Sequence, residues 1–137
     1  MEKALNILLV EDDQVDVMNV KRAFDKNRIS NPLFVANDGL DALRMLRSGE
    51  MPQERRIILL DLNMPKMSGI EFLRELRADP ALHLTPVVVL TTSNDERDKI
   101  NAYDLNVAGY LLKPVTFVNF VELMAALNKY WTLVELP

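Results

Sequence analysis

The chain contains no cysteine. Disulfides and thiolate metal sites are therefore excluded. Its single histidine, His83, falls in a polar connection and carries no assignable role. Positive charge is in deficit: 16 Lys and Arg stand against 20 Asp and Glu, a formal net charge of −4. A nucleic-acid footprint needs clustered Lys and Arg for phosphate contacts, and that balance argues against one. No apolar run approaches the roughly 18–20 residues of a membrane span. The start, Met1-Glu2-Lys3-Ala4-Leu5, runs straight into an apolar segment and has no signal-peptide pattern. A soluble cytoplasmic protein, binding neither nucleic acid nor membrane, is the expectation. There is no linker, internal repeat or low-complexity segment.

What is present is a set of short apolar runs, each ending in a chemically useful residue. With 137 residues, 49% of them hydrophobic, the chain makes one domain with an ordinary core. Leu5 to Val10 reads as a buried strand that stops at Glu11-Asp12-Asp13. Leu33 to Ala36 is a second strand. Ile57-Ile58-Leu59-Leu60 is a third, ending in Asp61 and halted by Pro65. Pro86 to Thr91 is a fourth, and Tyr110-Leu111-Leu112 a fifth, closed by Lys113-Pro114. Unbroken apolar runs of this length suit strands covered on both faces.

Between the strands lie segments with helical spacing: one to about Lys26, one from Leu40 closed by Gly49, Gly69 to about Ala78, about Glu96 to Leu105, and a last one from the Thr116 cap to about Tyr130. Asp13 suits the N-cap of the first. The alternation βαβαβαβαβα predicts an α/β fold with a parallel sheet and right-handed crossovers. All strand carboxyl ends then share one rim, where open α/β sheets bind ligands. That rim collects Glu11, Asp12, Asp13, Asp61, Thr91, Thr92 and Lys113.

Converging carboxylates repel; two unit charges at 4 Å interact by about 4 kcal/mol at an effective dielectric near 20. Either they protonate or a cation neutralises them. An oxygen-only set suits a hard ion, Mg²⁺ first. With a lysine and a hydroxyl added, the site has the parts of a phosphoryl-transfer centre in which a carboxylate is the nucleophile. Taken singly, Asp61 reads as well as a turn residue, and Lys113 as a surface lysine.

Four motifs together resemble the receiver domain of two-component response regulators: Val10-Glu11-Asp12-Asp13; Asp61-Leu62-Asn63-Met64-Pro65 with Met67 and Gly69; Thr91; and Tyr110 with Lys113-Pro114. The resemblance runs from about Asn6 to Tyr130. It implies a (βα)5 flavodoxin-like fold, strand order 2-1-3-4-5 with helices on both faces, and a receiver over residues 1–130 followed by a short extension, 131–137. It implies that Asp61 accepts a phosphoryl group from a sensor histidine kinase, with Mg²⁺ held by Asp12, Asp61, the Asn63 backbone carbonyl and, through water, Glu11. Thr91 and Lys113 would contact the phosphoryl group, and Thr91 with Tyr110 would form the switch, the tyrosine turning inward. Such a protein is not a conventional enzyme, although it takes part in its own phosphotransfer and dephosphorylation. Asp79-Pro80, Pro86 to Ser93, Lys113 to Phe117 and Tyr130-Trp131 further resemble stand-alone receivers that partner bacterial phytochrome kinases. With no DNA-binding segment following, output through protein contact or onward phosphotransfer is expected. Two rivals share parts of this chemistry: a haloacid-dehalogenase-like phosphatase, whose Asp-x-Asp follows its first strand, and an interaction module with a vestigial site.

The last helix is apolar over an arc of about 240° at 100° per residue. One-sided packing needs about 100° or a little more. The excess predicts a homodimer or partner interface through Phe117, Phe120, Met124, Leu127 and Trp131, against the alternative that the tail folds back onto its own domain.

Overall fold

In a computed structural model that describes residues 5–137, five strands and five helices alternate along the chain. They are β1 (Asn6–Val10), α1 (Gln14–Lys26), β2 (Leu33–Ala36), α2 (Gly39–Ser48), β3 (Arg56–Leu60), α3 (Gly69–Ala78), β4 (Val87–Thr91), α4 (Glu96–Asp104), β5 (Gly109–Leu112) and α5 (Phe117–Leu133). All strand pairs are parallel and the order is β2-β1-β3-β4-β5, the flavodoxin-like arrangement that the motifs implied.

Strand periodicity divides the core in two. On β3, Ile58 and Leu60 face the layer that holds α2, α3 and α4, while Ile57 and Leu59 face α1 and α5. β1 splits the same way, Leu8 and Val10 against Ile7 and Leu9. Every residue of β1, β3 and β4 is buried, as expected for central strands of a doubly covered sheet.

The helices begin where side chains satisfy free backbone amides. Asp13 caps α1 by accepting from the Val15 and Asp16 amides. Ser68 and Glu71 form a reciprocal capping box at α3. Thr116 caps α5. Gly49, at φ 80°, ends α2 in the left-handed conformation that favours glycine.

The C-terminal part departs from expectation in two ways. First, α5 runs beyond Tyr130 to Leu133, so a boundary between 130 and 131 would cut through a helix. Second, Phe120, Met124, Leu127 and Trp131 cannot form an interface, because they are the stripe that α5 buries within its own domain. Trp131 is 2% exposed and meets Phe24 of α1 edge-on at 6.1 Å. Phe117 is half-buried, with the Arg22 guanidinium over its ring at 4.8 Å. A wide apolar arc shows that part of it is covered but cannot show which part. The tail then folds back: Leu136 packs on the same cluster and the Arg55 amide donates to the Pro137 carbonyl at 2.8 Å.

Candidate phosphoryl-acceptor site

The rim at the strand carboxyl ends brings Glu11, Asp12, Asp61 and Lys113 together. One carboxylate oxygen from each of Glu11, Asp12 and Asp61 lies within 4.8 Å of the others. Glu11 and Asp61 are buried and Asp12 is exposed, so the cluster is a pocket open on one side. Backbone bonds fix its walls: the Glu11 amide donates to Ala36 of β2, and the Asp61 amide to Val10 of β1.

The loop after Asp61 is shaped by close packing. Gly69 opens α3 directly against it, its amide donating to Leu62 at 3.0 Å. A Cβ at Gly69 would lie 2.6 Å from the Asp61 carbonyl oxygen and 2.7 Å from Leu62 Cα. Gly39 leaves room for Met67 in the same way, since a Cβ there would meet its Cγ and Sδ at 2.9 Å. Asn63 is exposed on this loop.

Lys113 reaches into the pocket from the end of β5. Its ammonium is 2.5 Å from Glu11 Oε1, 2.8 Å from Asp16 Oδ2 and 3.8 Å from Asp61 Oδ2, and the side chain is 9% exposed. The backbone is anchored by the Lys113 amide donating to the Thr91 carbonyl at 2.8 Å. Burial alone would lower the lysine, but its bonds to Asp16 and Glu11, with the Asp61 charge, outweigh burial and raise it above the usual value. Burial pushes the Glu11 carboxyl up to about 7; the Lys113 bond opposes the rise and the Asp61 charge adds to it.

One atom is conspicuous. Among the described residues, Asp61 Oδ1 is buried with no hydrogen-bond partner. An unpartnered buried carboxylate oxygen is costly. Beside an all-oxygen donor set, it fits a hard divalent cation or an incoming electrophile. The residues present therefore suit the ion that composition suggested.

Thr91 is fully buried at the end of β4, on the strand next to β3. Its hydroxyl oxygen accepts from the Ser93 amide at 3.3 Å, which leaves its proton free to donate. Tyr110 lies opposite Val89 in the β4–β5 pairing. Its ring already leans inward against the core, and its hydroxyl donates to the Ser93 carbonyl at 2.8 Å. Two of these residues escaped the sequence reading. Ser93 touches both Thr91 and Tyr110, and its own hydroxyl donates to Asp98 of α4 at 2.5 Å. Asp16 shares Lys113. It lies in the first turn of α1, where an acid ordinarily reads only as a favourable charge at a helix start. Asp13, by contrast, caps α1 through its Oδ1.

Fold and pocket define the class: a doubly wound α/β domain with an acidic, cation-compatible pocket at the strand carboxyl ends. The response regulator receiver domain matches residues 7–127. Response regulator Rcp1 of Synechocystis sp. is 39% identical over 128 residues, 91% of this chain and 87% of that protein. The crystal structure of the phosphorylated cyanobacterial phytochrome response regulator RcpA aligns with a TM-score of 0.89 at 32% identity, covering 98% of this chain and 99% of that one. The Mn²⁺-bound form of Rcp1 aligns at 0.84 with 39% identity, covering 97% and 99%. The chain belongs to the response regulator receiver domain family. Receiver domains take phosphoryl groups from histidine kinases and bind Mg²⁺ or Mn²⁺ in an acidic pocket.

Proposed function

We propose that this protein is a response regulator that accepts a phosphoryl group on Asp61 and signals through protein contact. The observation that carries the reading is the state of that carboxylate: buried, one oxygen unpartnered among the described residues, flanked by Asp12 and Glu11 and 3.8 Å from a buried ammonium. In the transfer, an Asp61 oxygen attacks phosphorus while the bond from phosphorus to the donor imidazole nitrogen breaks. The electron pair leaves with the imidazole, which takes up a proton. Such a transition state is loose and highly charged, so the protein's work is positioning and charge stabilisation. Lys113 neutralises phosphoryl oxygens, and the free Thr91 proton donates to one. Mg²⁺, held by Asp12, Asp61, the Asn63 carbonyl and, through water, Glu11, would supply further positive charge at the same group.

The switch is read as a chain of contacts. Drawing Thr91 toward a phosphoryl oxygen strains its bond to the Ser93 amide, and Ser93 carries Tyr110 and, through Asp98, α4. Only Ala102 of α4 is buried, so the element has little packing to hold it in one place. A sensor kinase of the phytochrome type is the proposed donor, supported by the similarity to RcpA, itself a phytochrome response regulator. The proposal also retains self-association through the last helix, now through residues that α5 leaves exposed: Val118, Tyr130 and Leu133.

The test is direct. Acetyl phosphate with Mg²⁺ should label the protein at an acid-stable, hydroxylamine-labile acyl phosphate, and Asp61→Asn should reduce labelling to background. Undiminished labelling of that variant would remove Asp61 as the acceptor. Phosphotransfer from a bacterial phytochrome kinase at least about tenfold faster than from an unrelated kinase, a difference of about 1.4 kcal/mol in barrier, would support the partner assignment. Equal rates would reject it.

A further inference from the structure

We infer that Asp16 is a positioning residue that competes with the phosphoryl group for the Lys113 ammonium, and so sets how readily the acceptor site fills. The inference rests on the acceptor role proposed for Asp61.

Three observations carry it. Lys113 holds Asp61 only as a long ion pair: it lies at hydrogen-bond distance from Asp16 and Glu11, and 3.8 Å from Asp61. Next, Asp16 is free for this task because of how α1 begins. At α3 the acid three residues after the N-cap, Glu71, reaches back to the Ser68 cap amide. At α1 the Asp13 amide instead donates to Glu11 Oε2 at 3.2 Å, and Asp16 Oδ2 points at Lys113. Finally, the lysine backbone is pinned to β4, so any approach to a phosphoryl group must come from the side chain alone.

The two carboxylates differ in what they can give up. Glu11 is buried, and losing its lysine bond would leave it without its cation. Asp16 is about one-third exposed, so water can replace the lysine there. A phosphoryl group brings a charge of about −1.5 to −2 and strong acceptor oxygens. The ammonium therefore leaves Asp16 and keeps Glu11 as it turns to the new anion. Asp16 is the restraint that phosphorylation must overcome.

The experiment uses the full chain and beryllofluoride, an aspartyl-phosphate mimic, in saturating Mg²⁺. Asp16→Asn keeps the side-chain size and removes the charge. It should bind beryllofluoride about three- to tenfold more tightly than the parent, and carry correspondingly more acyl phosphate at steady state with acetyl phosphate. Asp16→Glu, which restores the charge, should return both toward parental values. The Lys113 ¹³Cε and ¹⁵Nζ signals of unliganded Asp16→Asn should already lie part-way toward their beryllofluoride-bound positions, which a merely structural effect on α1 would not produce. Affinity unchanged or weakened in a variant with native circular dichroism overturns the inference. If Asp16→Asn fails to fold, Asp16→Glu and Asp16→Ser are compared instead, and equal affinities there also overturn it. A parent that takes up neither beryllofluoride nor phosphoryl at Asp61 removes the acceptor reading and this inference with it. A parent that takes up both, unaffected at Asp16, removes the inference alone.

Discussion

Glu11 bears the electrostatic strain of the pocket. Its ionised form is disfavoured in the folded chain, so the stability it contributes is fully present below its ordinary value of 4.5 and is lost as pH rises to about 7. In EDTA, the urea midpoint of Glu11→Gln relative to the parent should therefore rise through that window, and saturating Mg²⁺ should shrink the difference. A difference that is flat with pH would show that Glu11 ionises freely. Asp61, Asp12, Thr91 and Lys113 were legible in sequence because each ends an apolar run or lies within two residues of its end, and parallel strands must bring such ends to one rim. Asp16 was not, because it lies within a helix. Which neighbour its carboxylate meets depends on Asp13 giving its amide to Glu11, a choice no spacing rule encodes.

At the scale of elements, the most confined junction is β3 to α3. Gly69→Ala would drive a methyl group into the Asp61 carbonyl and Leu62 Cα, both backbone atoms that cannot step aside. Overpacking of this kind costs about 1–3 kcal/mol. We expect a lower thermal midpoint and reduced acyl-phosphate formation together. Normal labelling with normal stability would mean the loop yields easily. On the opposite layer, Trp131→Ala should cost about 3–5 kcal/mol, as for large aromatics in well-packed cores; a change under 1 kcal/mol in urea unfolding would contradict the burial. Elements were the most legible level, since caps and apolar runs mark them locally. The end of α5 was not. Its sequence is apolar nearly all round, and only contact with α1 decides that Phe120, Met124, Leu127 and Trp131 turn inward.

At the scale of the whole molecule, Leu112, Val115, Val118, Tyr130 and Leu133 form an exposed apolar group on and around β5 and α5. A groove of about 260 Å³ between them is lined by Val88, Leu111, Leu123 and Tyr130 among others, with Leu133 82% exposed one turn beyond Tyr130. If two copies associate here, Val118→Glu with Leu133→Glu should shift sedimentation equilibrium toward monomer and leave unfolding free energy within about 0.5 kcal/mol, as for surface substitutions. A parent that is monomeric at high concentration, with and without beryllofluoride, would exclude the interface.

Trp131 has one more consequence. It is the only tryptophan in the chain, its indole N–H donates to Asn128 at 2.7 Å, and it sits against Phe24 near the far end of α1 from the acidic rim. Eleven residues of helical rise, about 16 Å, separate Phe24 from the Asp13 cap. Intrinsic emission excited at 295 nm will therefore report whether the last helix is docked and stay nearly blind to chemistry at Asp61. The molecule carries its own folding gauge, optically decoupled from its signalling state.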